Sequence, residues 1–176
     1  RDPPFGNSVV DPRSATVATV HAAAHGALRP LPTPTEFFMS TLILKFGSSI
    51  LRTEDDLPTA VHEVYRWLRR GHRVVAVVSA LQGTTDRQFA QAKRWSDDPI
   101  AQAALVATGE RQAAALLALC LHRAGIDHRL LDASALRLRT QGKATDAMPL
   151  SIDTGLLQEA LDMDSVVVVP GYCGRD

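Results

Sequence analysis

Two stretches of this chain are apolar at almost every position, Arg73 to Ser79 (RVVAVVS) and Val166 to Val169. A strand with one wet face alternates polar and apolar residues, whereas a strand covered on both faces does not. Unbroken valine runs therefore ask for a sheet with helices on either side, the setting in which parallel strands occur. Thr41 to Phe46 (TLILKF) is a third short apolar strand, followed by a small-residue turn at Gly47-Ser48-Ser49. Thr53 then precedes Glu54, Asp55 and Asp56, a capped, acidic start that suits the positive end of a helix dipole. Leu57, Val61, Val64 and Leu68 recur at helical spacing, Arg69 and Arg70 fall in the last turn, and Gly71 ends it. Strand, helix and strand make a β-α-β unit of about forty residues with a right-handed crossover.

The alternation continues. Thr85 to Trp95 reads as a helix, and Ile100 to Val106 as a shorter apolar one. Thr108-Gly109-Glu110 then introduces a long helix reaching about Ala124, closed by Gly125. His128 to Leu131 is a short strand, Leu156 to Leu161 a helix and Ser165 to Val169 the last strand. The expected fold class is α/β, a three-layer αβα sandwich with a mainly parallel sheet.

The two ends differ from this body. Residues 1–38 hold six of the ten prolines and keep no helical or strand period, so they read as a disordered or artefactual leader before Met39. At the other end the last strand runs into Pro170-Gly171, and the sequence stops at Asp176, inside what should be a loop. Residues 39–176 are therefore expected to be the front part of a domain that is incomplete at its C-terminus.

Composition narrows the function. An apolar share of 45% with 22% charged residues is globular. Nineteen basic and nineteen acidic side chains cancel, which argues against a general nucleic-acid binder. The longest apolar run, Ala113 to Leu121, is about half the ~20 residues that span a bilayer, so no membrane partner is expected. The two cysteines, Cys120 and Cys173, make no disulfide scaffold, and neither they nor the six scattered histidines have metal-ligand spacing. The expectation is a soluble, cytoplasmic domain with no metal site of its own and with Cys120 buried in a helix.

In layered parallel sheets, ligands gather at the carboxyl ends of the strands. Three loops leave such ends here. Lys45-Phe46-Gly47-Ser48-Ser49 offers one cation beside several close backbone and hydroxyl donors, the equipment for holding a polyphosphate. Its order is not that of a Walker A loop. Ser79 to Asp86 is a hydroxyl-rich loop containing Gly83, and Pro170 to Arg175 is the third. Glu110 has two readings: an acid placed to favour a helix start, or a carboxylate that receives a substrate ammonium group.

Taken in order, these pieces resemble the aspartate kinase branch of the amino acid kinase family, over Thr41 to Asp176. Lys45-Phe46-Gly47-Ser48-Ser49 looks like the family's opening Lys-Phe-Gly-Gly-[Thr/Ser]-Ser. Val77-Val78-Ser79-Ala80 with Thr84-Thr85-Asp86 is similar to its second loop. Ala107-Thr108-Gly109-Glu110 resembles its Ser-x-Gly-Glu helix start, and Pro170-Gly171-Tyr172-Cys173-Gly174 stands where the family has Gly-Phe-x-Gly. The resemblance implies ATP-dependent phosphorylation of the L-aspartate side chain to 4-phospho-L-aspartate, with Mg²⁺ accompanying ATP and a homo-oligomer in the complete protein. It implies that Lys45 neutralises charge on the transferring phosphoryl group, with Gly47, Ser48 and Ser49 as phosphate contacts. Thr85, Glu110 and Tyr172 fall at the substrate positions, with Glu110 facing the ammonium. Ser48, Ile50 and Ala113 depart from the family's usual residues. The Gly-Ser-Ser opening is also similar to that of glutamate 5-kinase, and to kinase-like domains fused ahead of homoserine dehydrogenase. A degenerate sensing or structural module on such a fusion is thus the alternative to a catalytic domain. The family's Gly-Arg-Gly-Gly-Ser-Asp loop lies beyond the residues given, so these 176 residues alone are expected to lack turnover.

Overall fold

The computed structural model describes residues 16–19 and 40–171. In chain order its elements are β1 (Thr16–Thr19), β2 (Thr41–Phe46), α1 (Leu57–Leu68), β3 (Arg73–Val78), α2 (Thr84–Lys93), α3 (Pro99–Arg123), β4 (Arg129–Leu130), β5 (Arg139–Lys143), β6 (Asp146–Ser151), α4 (Thr154–Met163) and β7 (Val166–Pro170). Five strands form one sheet in the order β1-β2-β3-β7-β4, parallel throughout except for the β1–β2 pair. The β1 strand lies within the segment read as a leader; the rest of that segment is outside the described residues.

Helices cover both faces of this sheet. On one, α1 and α3 bury Leu57, Ala60, Val64, Ala113, Ala114, Leu117 and Leu121 against Leu44, Phe46, Val74, Ala76, Val78, Val166 and Val168. On the other, Ala160 and Leu161 of α4, with Leu136, cover Val75, Val167 and Val169. Val166, Val167 and Val168 are therefore all fully buried, although neighbouring residues face opposite layers. This is the reason for the unbroken valine run, and the three-layer αβα arrangement is the one expected.

Local chemistry sets the element ends. The Asp56 carboxylate accepts from the backbone N–H groups of Arg52 and Thr53, both at 3.0 Å, and so fixes the 3₁₀ turn Glu54–Asp56 that leads into α1. Pro58 sits in the first turn of α1, where its missing N–H costs nothing. At the far end, Gly71 takes φ +80°, a backbone state that side-chain-bearing residues avoid. Ion pairs Arg73–Asp162 and Arg129–Asp164 fasten the starts of β3 and β4 to the end of α4.

Three features differ from the sequence expectation. The helices expected at Ile100–Val106 and from Thr108 onward are one 25-residue helix, α3, capped by Asp98, whose side chain accepts from Ile100 N–H at 3.0 Å. Gly109 therefore starts nothing; it lies mid-helix, where a missing Cβ lets α3 touch the loop before α2. As a single helix, α3 is long and apolar enough by length and composition to cross a membrane, yet its buried stripe packs on the sheet. Second, β5 and β6 form a separate antiparallel hairpin with a register shift at Arg139/Thr140. It is exposed on both sides, so no apolar alternation announces it. Third, β4 is two residues long where His128–Leu131 was expected. Cys120 is half-buried in α3, at the edge of the larger core.

Candidate functional site

The parallel strands β2, β3 and β7 are neighbours, so their carboxyl ends lie side by side. The loops leaving them are tied together through the main chain. Ser79 N–H donates to the Phe46 carbonyl at 2.9 Å, and Gly171 N–H donates to the Val78 carbonyl at 2.8 Å. Gln82 N–H donates to the Leu51 carbonyl at 3.2 Å, linking the first two loops a second time. The chemistry-bearing segments thus converge on one edge, tied together by main-chain hydrogen bonds.

Lys45 occupies the outward phase of β2. Its neighbours Leu44 and Phe46 are buried on the α1/α3 face, and Lys45 is exposed on the other. In register it stands beside Val77, which stands beside Val169, one residue short of the strand ends. The turn after β2 folds back so that the Gly47 carbonyl accepts from Ile50 and Leu51 N–H groups, both at 2.9 Å. Ser48 and Ser49 are exposed at its apex. A cation and a hydroxyl-bearing turn therefore share one strand end, open to solvent and to an anionic ligand.

Glu110 approaches from the opposite layer. It is 7% exposed, the one buried charged side chain among the described residues. A Cβ on Gly171 would lie 3.2 Å from Glu110 Oε2, 3.6 Å from Ser79 Oγ and 3.1 Å from the Val78 carbonyl. The carboxylate is thus seated directly beneath the ends of β3 and β7, so close that a side chain at 171 would need its neighbours to give by a few tenths of an ångström. The first-turn reading of Glu110 is corrected here: the residue is mid-helix, so the dipole of a helix start does not account for an acid at this place. A charge at this depth is costly without a ligand or donors to match it.

Thr85 is half-buried in the first turn of α2, which begins after Gly83 at φ +73°. That turn is held against α3 at Gly109, where an added Cβ would come within 2.8 Å of Gln88 Oε1, 2.9 Å of Thr84 Cγ2 and 3.3 Å of Ala80 Cβ. With its amide turned to satisfy both ends, Gln88 donates to the Val106 carbonyl at 3.0 Å and accepts from Gly109 N–H at 3.3 Å. The contact sets the Thr85 turn beside the Glu110 turn. The structure places Lys45, Gly47, Ser48, Ser49, Thr85 and Glu110 at this edge; Tyr172 lies outside the described residues.

A fourth strand-end loop escaped the sequence reading. After β4, Asp132 accepts from the Ser134 hydroxyl at 2.6 Å and from Ala135 N–H at 2.8 Å. These bonds, the hydroxyl's first, hold its carboxyl below the usual range, and the Arg111 charge one residue past Glu110 adds to the effect. The signal was present as an Asp-x-Ser turn after a short strand. Ala113, where a serine is usual in the resemblance, is buried in the α1/α3 core.

Fold and loops together define a layered α/β domain that gathers a lysine, a small-residue turn and a buried carboxylate at the carboxyl edge of its sheet. The family model that matches residues 40–176 is that of the amino acid kinase family, and the chain belongs to that family. Among its curated relatives, an aspartate kinase of Stutzerimonas stutzeri is 31% identical over 140 residues, and aspartokinase 2 of Bacillus subtilis 30% over 138. These matches cover 78% and 77% of this chain but 34% of each relative, so the chain spans about a third of their length. Among solved structures, aspartate kinase from Synechocystis superposes with a TM-score of 0.59 at 27% identity, over 74% of this chain and 21% of that one. Escherichia coli aspartokinase III in complex with aspartate and ADP gives a TM-score of 0.54 over 71% of this chain and 39% of that one, at 16% identity, a likeness of fold.

Proposed function

We propose that the protein carrying this chain transfers the terminal phosphoryl group of ATP to the side-chain carboxylate of L-aspartate. A carboxylate oxygen attacks the γ-phosphorus, the bond to the ADP oxygen breaks, and 4-phospho-L-aspartate and ADP leave. The observation that supports this reading is that Lys45 and the Gly47–Ser49 turn, at the end of β2, and Glu110, beneath the ends of β3 and β7, lie at the same carboxyl edge of the sheet, approached from its two faces. Such a transfer needs little covalent chemistry from the protein; it needs positioning and charge stabilisation.

The residues divide that work. Lys45 offsets charge on the phosphoryl oxygens, and Gly47 with the Ser48 and Ser49 hydroxyls supplies close donors. Glu110 holds the ammonium group of the amino acid from below the strand ends. Thr85 and, by resemblance, Tyr172 line the same pocket. By resemblance, Mg²⁺ accompanies ATP and would be carried on the nucleotide's phosphates. Bound ATP with Mg²⁺ would supply the phosphoryl group itself.

The test is aspartate-dependent ADP release, with the acyl phosphate trapped by hydroxylamine, in the complete gene product that contains these residues. Lys45→Ala should lower turnover by roughly 10²- to 10³-fold, as loss of one charge-stabilising group does. The 176-residue chain alone should show no aspartate-dependent release. Glutamate as the better acceptor would overturn the substrate assignment. The competing reading, a binding or structural module, draws on Ser48, Ile50 and Ala113. It requires that Lys45→Ala change ligand binding or stability in a protein that has no turnover to lose.

A further inference from the structure

Helix α2 packs on α3 with Ala92 buried, and its outward side carries a shallow, open groove of about 450 Å³. Arg87, Ala90, Gln91, Arg94 and Trp95 line it, and none of them is among the residues gathered at the strand ends. Arg87, Ala90 and Gln91 stand at i, i+3 and i+4 and so share one face of the helix. Arg94 caps α2 in helical conformation, at φ −71° and ψ −20°, and Trp95 follows it. Their N–H groups donate to the Gln91 and Ala92 carbonyls at 3.1 and 2.9 Å, which fixes the end of the groove. Two features of this lining have no use inside the molecule. Neither Arg87 nor Arg94 enters an ion pair among the described residues. Asp86, the acid of α2, is next to Arg87 in sequence and falls on a different face, while Asp98 is turned into the cap of α3. Trp95 is 84% exposed, and among the described residues no ring or guanidinium lies against it. Trp67, by contrast, lies under Arg66 and Arg70 and donates to Glu63 at 2.9 Å.

We propose that this groove binds a small anion that carries a flat ring, the chemistry of a nucleoside monophosphate. The ring stacks on the Trp95 indole, as bases do on aromatic side chains. The phosphate is gripped by Arg94 and Arg87, whose planar forks match its oxygens two at a time. Arg87 is held ready for this by its bond to the Thr84 hydroxyl at 3.0 Å. Ala90, with a single side-chain carbon, keeps the floor low between the two guanidiniums, and the Gln91 amide offers a donor and an acceptor to the sugar. The groove's volume lies within the range of about 300–1,000 Å³ usual for small-ligand sites. Its five residues suit one nucleotide and not a strand of them, since the chain has no net positive charge to extend the contact. The inference rests on α2 alone and is independent of the phosphoryl-transfer reading.

Nuclear magnetic resonance of the 176-residue chain, titrated with AMP to about 10 mM, reads the indole N–H signals of its two tryptophans separately. The Trp95 signal should move saturably and the Trp67 signal should stay. Adenosine and inorganic phosphate each hold half of the chemistry and should bind at least about tenfold more weakly than AMP. Trp95→Ala, followed by calorimetry, should weaken AMP binding by about tenfold, and Arg87→Gln or Arg94→Gln by about fivefold or more each. All three side chains are exposed, so these variants should keep the wild-type circular dichroism and Tm. A Trp95 signal that AMP leaves unmoved overturns the proposal. So does phosphate alone or adenosine alone bound as tightly as AMP, or an AMP response at Gly47–Ser49 in place of Trp95. Binding of a single-stranded oligonucleotide without binding of AMP would mark a nucleic-acid surface and overturn it as well.

Discussion

Gly109 shows how one missing methyl group shapes the site. An added Cβ would press on Gln88 Oε1 at 2.8 Å, which can swing away, but also on Thr84 Cγ2 at 2.9 Å and Ala80 Cβ at 3.3 Å, which cannot. Overpacking of this kind costs about 1–3 kcal/mol, and the better helix propensity of alanine returns at most about 1 kcal/mol. Gly109→Ala should therefore lower stability by about 1 kcal/mol, or roughly 2–4 °C in Tm by calorimetry. Pairing it with Gln88→Ala should recover part of the loss, because the Thr84 contact remains. The same change moves the Thr85 turn away from Glu110, so under the proposed assignment of these two residues to the amino acid it should cost more in aspartate affinity than in ATP affinity. The sequence displayed this glycine beside Glu110 but suggested a helix start; a glycine in a helix and one before it look alike until the opposing surface is known.

Among the elements, α1 has the most readable ends. Asp56 accepts two main-chain N–H groups, led by Thr53, and its carboxyl is held below the ordinary value, helped by Arg52. A carboxyl whose folded pKa is depressed stabilises the fold fully above its unfolded pKa. It loses that contribution as pH falls through the folded one. The start of α1 should thus be unaffected by pH near neutrality and should loosen below about pH 4. Asp56→Asn should remove that acid dependence in amide hydrogen exchange at residues 52–57, led by Arg52 and Thr53; an unchanged profile would refute the assignment. The hairpin β5–β6 is the opposite case. Met148 is 72% exposed and Leu150 58%, so its residues carry no burial pattern for sequence reasoning to find.

For the molecule as a whole, cohesion lies in the layer between the sheet and α1/α3. Leu117 is fully buried there, while Met148 on the hairpin is open to water. Leu117→Ala should cost about 2–5 kcal/mol in urea unfolding, and Met148→Ala close to nothing. Equal effects would mean that the hairpin packs on something in solution. The expected layering was legible because a strand covered on both faces must be apolar throughout, as Val166 to Val168 are. Lys45 was legible for a related reason, being the charged residue at the end of an otherwise apolar strand.

Periodicity, caps and composition were enough to set the α/β class, the β2-α1-β3 unit and the strand-end loops, since each depends on neighbours close in the chain. Strand order, with β7 inserted between β3 and β4, came from contacts across some ninety residues, for which local pattern carries no signal. The continuity of α3 and the burial of Glu110 belong with it. Whether a glycine breaks a helix or lets it approach a neighbour, and whether an acid faces water or a strand end, depends on which surface packs opposite.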